Sequence, residues 1–221
     1  MPRNVDPEKL YLRRSRQALK NAVSDLFQAW ADLESSLAFL FAVTAIKPGL
    51  GAVGFEIYFA PSNMETRVKL VDTAFTAALR RNAAAAAALS EWTTILNAIN
   101  RAKSTRNAVA HGCTMITTDP GPLQYRIGPP QFHLGAMFKA MERGANVALS
   151  ANDISQSATA VWTNAGKIRG LAVAVGEMMR AEADASPPKP PEPASDHSTA
   201  ALPKADRKPP RRKARPRSSL G

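Results

Sequence analysis

A chain of 221 residues that is 45% apolar and 21% charged is long enough to bury one sizeable core, and its composition excludes collagen-like, disulfide-framework and wholly disordered proteins. Its one cysteine, Cys113, forms neither an internal disulfide nor a four-thiolate zinc site nor a CxxC redox pair. The formal charge of +11 favours a polyanionic partner and says nothing about fold.

The first residues, MPRNVDPEKLYLRR, have no apolar stretch behind their charges and do not fit a secretory signal. The most apolar run, Leu37 to Ile46, is about half the roughly 20 residues a spanning helix needs. A reducing, cytoplasmic setting without a membrane is the expectation.

The first helix starts at Asp6 as cap, with Pro7 in the first helical position and Glu8 at the positive end of the dipole. Leu19, Val23, Leu26, Phe27, Trp30, Leu33, Leu37, Leu40, Phe41 and Thr44 then recur at three- and four-residue steps. That spacing predicts one buried face on a long helix running to Lys47-Pro48-Gly49. Between Gly49 and Pro61 the glycines and the run Phe55 to Phe59 read as a loop dipping into apolar surface.

Ser62 and Glu65 read as a capping box for a second helix with Met64, Val68, Val71, Phe75, Ala78 and Leu79 on its apolar stripe, ending near Arg81-Asn82. A turn at Asn82 separates it from a third helix, opened by the alanine run Ala83 to Ala88. The third stripe is Leu89, Trp92, Ile95, Leu96, Ile99, Ala102 and Val109, and the helix stops at Gly112, read as a left-handed cap. CTMITT and LQYRIG, separated by Asp119-Pro120-Gly121-Pro122, predict a small β-hairpin. Pro129-Pro130 ends the hairpin, and Phe132 to Arg143 reads as a short helix. Ser150 with Asp153 opens a last long helix containing Ile154, Ala158, Val161, Trp162, Ile168, Leu171, Val175 and Met178. The sum is an all-α domain over residues 1–183, an antiparallel four-helix bundle with a hairpin insertion.

From Asp184 onward the chain is dense in proline, lysine and arginine and nearly lacks large apolar residues, so residues 184–221 read as a disordered tail. The tail holds nine basic and four acidic residues, leaving +6 of the +11 to the domain. Its cluster Lys204 to Arg217 is a candidate nucleic-acid contact through phosphates, without aromatics to stack on bases.

The third helix contains a conflict. Extended by its own period, Trp92, Ile95, Ile99 and Ala102 lead to Arg106, a guanidinium where the pattern calls for an apolar side chain. Such a charge is costly to desolvate unless carboxylates, carbonyls or a bound anion meet its five donors. Asn107 and His111, four apart, share a face. His111 sits in the last turn, where the dipole favours a cation, and histidine exchanges protons near neutral pH. Gly49 and Gly51 lack the downstream GK[ST] of a phosphate loop, no Gly-x-Ser-x-Gly elbow is present, and His133 and His197 show no metal-ligand spacing with His111.

Arg106-Asn107-x-x-x-His111 resembles the R-N-x-x-x-H signature of the HEPN superfamily of helical ribonucleases, and Arg-Asn-Ala-Val-Ala-His-Gly resembles the RNxxAHG form common in its bacterial members. The resemblance places the motif at the C-terminal end of a long helix in a HEPN-type bundle, and the helix layout from about residue 7 to 182 is compatible. It implies a metal-independent, cofactor-free endoribonuclease of a toxin–antitoxin or defence type. Arg106 would hold the phosphate, Asn107 would orient or donate, and His111 would transfer the proton. It also implies RNA as partner, a homodimer that brings two motifs to one cleft, and Arg101 and Lys103 near the RNA path. Glu34, a carboxylate on the first helix's apolar stripe, is the candidate supporting group for Arg106 or His111. Members neutralised by nucleotidylation carry a tyrosine two positions after the histidine; Cys113 stands there instead, so that regulation is not implied. The alternative is a non-catalytic helical module binding a protein or nucleic acid, with Arg106 bonded inside the core.

Overall fold

The computed structural model describes residues 6–46, 50–80, 85–118, 122–129, 135 and 148–185. The chain divides into two units, Met1–Ala185 and Ser186–Gly221. The basic tail belongs to the second and lies outside the described residues. The first unit is mostly helical: α1 is Pro7–Ala45, α2 Gly51–Phe59, α3 Met64–Leu79, α4 Ala86–His111 and α5 Ala151–Ala185, with strands β1 (Cys113–Thr117) and β2 (Gln124–Gly128) between α4 and α5. The last helix therefore takes in Asp184 and Ala185, two residues beyond the expected domain end.

Helix α1 begins as its sequence dictates. The Asp6 carboxylate accepts the Glu8 N–H at 3.0 Å, and Pro7 fills the first turn. Leu19, Leu26, Trp30, Leu33, Leu37, Leu40, Phe41 and Thr44 are buried, whereas Phe27 is exposed. By length and composition alone α1 is long and apolar enough to cross a membrane, and 56% of its most apolar 18-residue stretch is buried inside the domain.

The segment expected as a loop is the helix α2. Its glycines serve close packing rather than a turn: a Cβ on Gly54 would stand 2.9 Å from the Ala42 Cβ, so only glycine lets α2 lie this close to α1. Tyr58 then buries its ring against Phe41, with centroids 6.4 Å apart. Asn63, not Ser62, caps α3, its side chain accepting the Thr66 N–H at 2.7 Å. Helix α3 buries Val71, Phe75 and Leu79. The expected turn at Asn82 falls outside the described residues.

Cross-contacts fix the helix directions. Glu65 and Asp72 of α3 meet Lys103 and Trp92 of α4, so these two run antiparallel. Helix α4 is antiparallel to α1 as well, since Leu96 and Ile99 lie beside Trp30, and Val109 beside Leu19 and Val23. Helix α5 instead runs parallel to α1: Asp32 binds Arg169 at 2.7 Å, and Gly176 packs under Val43. The expectation of simply antiparallel neighbours is corrected here. The hairpin occupies the end of the domain where α4 finishes, and α5 leaves from that end alongside α1.

The hairpin forms in the predicted place, with Cys113 opposite Gly128 and Thr117 opposite Gln124. Ile127 exchanges two backbone hydrogen bonds with Leu149, at 2.9 and 2.8 Å, and the Tyr125 N–H donates to Ser15 Oγ at 2.9 Å. These bonds tie β2 to both α1 and the start of α5. Gly112 ends α4 in an extended conformation, φ −74° and ψ 167°, not the left-handed one expected. Its lack of a side chain matters for approach: a Cβ there would collide with the carbonyl oxygens of Ala108 and Gly128. The Phe132 to Arg143 helix lies outside the described residues, apart from Gly135. Ser150 and Asp153 form the predicted reciprocal cap, with the Asp153 N–H donating to Ser150 Oγ at 3.2 Å and the Ser150 N–H to Asp153 Oδ2 at 2.8 Å.

Candidate functional site

Helix α4 carries the motif because its apolar period outlasts its apolar residues. Trp92, Ile95 and Ile99 are buried, Ala102 is half-buried and Val109 is buried again. Arg106 falls between the last two on this stripe and is half-buried. Its Nη1 donates to Asn107 Oδ1 at 3.2 Å, and no carboxylate lies within ion-pair distance among the described residues. His111, the last residue of α4, is exposed. It lies five positions after Arg106, about 7.5 Å along the axis and about 140° around it. Asn107 lies between the two in angle and shares the outer face with His111. The structure thus puts a guanidinium with free donors, an amide and an exposed imidazole on the last turn and a half of one helix. Chemically, such a set can hold an anion and move a proton beside it.

Glu34 does not join them. It binds Arg67 Nη1 at 2.9 Å, while Arg67 Nε donates to the Pro61 carbonyl at 2.9 Å and the guanidinium lies 5.2 Å from the Phe59 ring centroid. The correction has a geometric cause. Arg106 sits on α4 between the levels of Trp30 and Leu19, roughly 10 to 15 Å along the bundle from Glu34, whereas α3 starts beside Glu34. The cluster also encloses Tyr58. Its hydroxyl is buried without a partner among the described residues, and burial first, then the Glu34 charge, push its pKa well above the ordinary phenol value, against the opposing effect of Arg67.

The two cations expected near RNA also part company. Lys103 donates to Glu65 Oε2 at 3.1 Å, and Lys69 holds the other oxygen of that carboxylate at 3.2 Å. The two ammonium groups keep the Glu65 pKa below its ordinary value. Arg101 is exposed and its Nε donates to the Asn97 carbonyl at 3.2 Å. The 101-to-103 step turns about 200° around the helix, so the two residues serve different faces.

Two clefts flank α4. One of about 310 Å³ lies between α1, α3 and α4, with Trp30, Val68, Asp72, Ile99, Asn100 and Lys103 on its walls. The other, about 430 Å³, lies where α1, the end of α4 and the hairpin meet, and Arg16, Lys20 and Tyr125 border it. Reasoning from sequence missed these three; the signal available was the spacing of Arg16 and Lys20 on the helix face of Lys9 and Arg13. It also missed Arg126, which is 4% exposed, donates from Nη1 to the Ala148 carbonyl at 3.2 Å and leaves Nε without a partner among the described residues. A charged residue at the centre of a β-prone run was its signal. Among the described residues no three His, Cys, Asp or Glu side chains gather as a metal site; His133 and His197 lie outside those residues.

No protein-family model matches the chain, and neither a curated protein nor a solved structure resembles it closely enough to lend a family or a fold.

Proposed function

We propose that the first unit is a HEPN-type endoribonuclease that cleaves RNA without a metal, in a cytoplasmic toxin or defence setting. The observation that carries this reading is Arg106: a half-buried guanidinium with no carboxylate partner among the described residues, placed one turn and a half before an exposed histidine at a helix end. The resemblance of Arg106-Asn107-x-x-x-His111 to the HEPN signature adds to it.

In this reading the ribose 2′-oxygen attacks the adjacent phosphorus. The O2′–P bond forms, the P–O5′ bond breaks, and the products end in a 2′,3′-cyclic phosphate and a 5′-hydroxyl. His111 transfers the proton to or from the reacting oxygens. Arg106 stabilises the charge that builds on the phosphorane oxygens, with its forked donors matched to phosphate. Asn107 accepts from Arg106 and fixes the guanidinium plane. The domain works as a homodimer: Phe27 and Phe39 on α1 and Trp162 and Val173 on α5 are each at least 40% exposed, at matching levels of two parallel helices, and a second copy covers them.

The test is cleavage of single-stranded RNA by the purified chain in chelator. His111→Ala abolishes cleavage and Arg106→Ala lowers it about 10² to 10³-fold, while helicity is retained in both. Loss of folding in Arg106→Ala, with activity in His111→Ala unchanged, overturns the reading.

A further inference from the structure

The first four turns of α1 carry a cationic stripe outside the site described above. Lys9, Arg13, Arg16 and Lys20 follow at steps of four, three and four residues. That spacing keeps all four within about 60° around the helix and sets them about 5 to 6 Å apart along its axis. No acidic residue lies between Lys9 and Lys20 in the chain. All four are exposed, and among the described residues their one ion pair is the 3.9 Å contact of Lys9 with Asp6, at the far end of the stripe.

The near end opens into the 430 Å³ cleft. Arg16 and Lys20 border it on the α1 side, Leu19, Val109 and Ile127 supply apolar wall, and Tyr125 closes it from the hairpin. The Tyr125 N–H bond to Ser15 Oγ pins that tyrosine beside Arg16. Cations in a row, three of the four without an ion pair among the described residues, leading to an apolar cleft with an aromatic wall, select a ligand that is a repeated anion along one edge and flat and apolar along another. A bare anion leaves the apolar wall unused. A duplex keeps its bases stacked inside, away from Tyr125. A single strand supplies both parts, phosphates to the stripe and a base to the cleft.

We infer that the α1 stripe and this cleft form a track for single-stranded RNA, which delivers the strand to the end of α4. Val109 and Thr114, both on the cleft, bracket His111 in sequence, and the strand passes from the cleft to His111 around a helix end about 10 Å across. The inference rests on the ribonuclease reading for the identity of the polyanion. It gives the binding role to residues other than Lys103, whose ammonium Glu65 holds.

The test measures binding separately from cleavage. Full-length His111→Ala protein is titrated against a short fluorescent single-stranded RNA in chelator, by anisotropy, across a series of salt concentrations. Arg16→Gln with Lys20→Gln weakens binding at least tenfold at low salt. Lys167→Gln with Arg180→Gln, the same change of charge on exposed positions of α5, weakens it less than twofold. Neutralising all four stripe residues lowers the slope of log affinity against log salt by about 3, at about 0.7 for each phosphate contact. Tyr125→Leu weakens binding about tenfold and leaves the slope unchanged. Equal losses from the two charge pairs overturn the track. So does unchanged RNA binding in the stripe variants, including the case in which they lose binding to phosphatidylserine vesicles instead. Cleavage by the wild-type chain separates the two readings: if it cleaves and the stripe variants bind RNA normally, the track falls and the ribonuclease stands. If it binds RNA through the stripe and never cleaves, the reverse holds.

Discussion

Arg67 and Arg106 are the same residue type set on apolar-faced helices, and the domain treats them differently. Arg67 meets a carboxylate at 2.9 Å, a carbonyl at 2.9 Å and an aromatic ring. Its charge is answered inside the domain, and it fastens α3 to α1 beneath α2. Arg106 meets one amide oxygen at 3.2 Å. A guanidinium with satisfied donors is architecture; one with spare donors, a turn and a half before an exposed imidazole, is available to a ligand. The contrast carries the functional argument, because burial alone does not separate the two residues.

The sharpest way to break the contrast is to truncate each arginine. Arg106→Ala lowers RNA cleavage about 10² to 10³-fold, the scale of losing a transition-state charge donor, and shifts unfolding by less than about 1 kcal/mol. Arg67→Ala does the opposite. It strands the half-buried Glu34 carboxylate and costs about 2 to 3 kcal/mol in urea unfolding, below the full value for a buried pair because both partners retain some solvent. Cleavage by the protein that remains folded is unchanged. Equal stability losses in the two variants would erase the distinction.

The next effect sharpens where the site ends. Gly112→Ala forces a methyl group against the carbonyls of Ala108 and Gly128 and costs about 1 to 3 kcal/mol, with the hairpin displaced from α4. Ser150→Ala, at the other end of the hairpin's connection to α5, removes both hydrogen bonds of the Ser150 hydroxyl, from the Asp153 N–H and to the Asp153 carboxylate, and costs about 1 kcal/mol in the same measurement.

The smallest effect concerns Lys103. With the Glu65 pKa held below its ordinary value by Lys103 and Lys69, the pairing is fully present above the usual carboxylate range and is lost as pH falls through the lowered value. A carboxyl-detected NMR titration shows the Glu65 midpoint below that of an ordinary glutamate, and Lys103→Met moves it back upward. An unmoved midpoint would return Lys103 to the list of free cations.

Features set by a few neighbouring residues were legible in the sequence. Asp6-Pro7, Ser150 with Asp153, the α1 stripe and the two hairpin strands each specify their own local structure. Gly54 misled because glycine marks loops and close helix contacts alike, and only the presence of Ala42 across the gap distinguishes them. The placement of Arg106 on a core-facing stripe was legible because the α4 period is local. The partner of Glu34 was not, since it depends on how far α3 slides along α1, which no residue spacing within one helix encodes. The α1 cations were visible as charge, and their place at the mouth of a cleft became visible only when the hairpin brought Tyr125 beside them.

One measurement addresses the central claim that the end of α4 cleaves RNA through its own 2′-hydroxyl. A short RNA and the same strand carrying 2′-deoxyribose at the cleaved position are incubated in chelator with the wild-type chain and with His111→Ala purified identically. The account predicts that the wild type alone cuts the RNA, leaves 2′,3′-cyclic phosphate and 5′-hydroxyl ends, and spares the deoxy strand. Cleavage of both strands, equal cleavage by His111→Ala, or intact RNA throughout would contradict it.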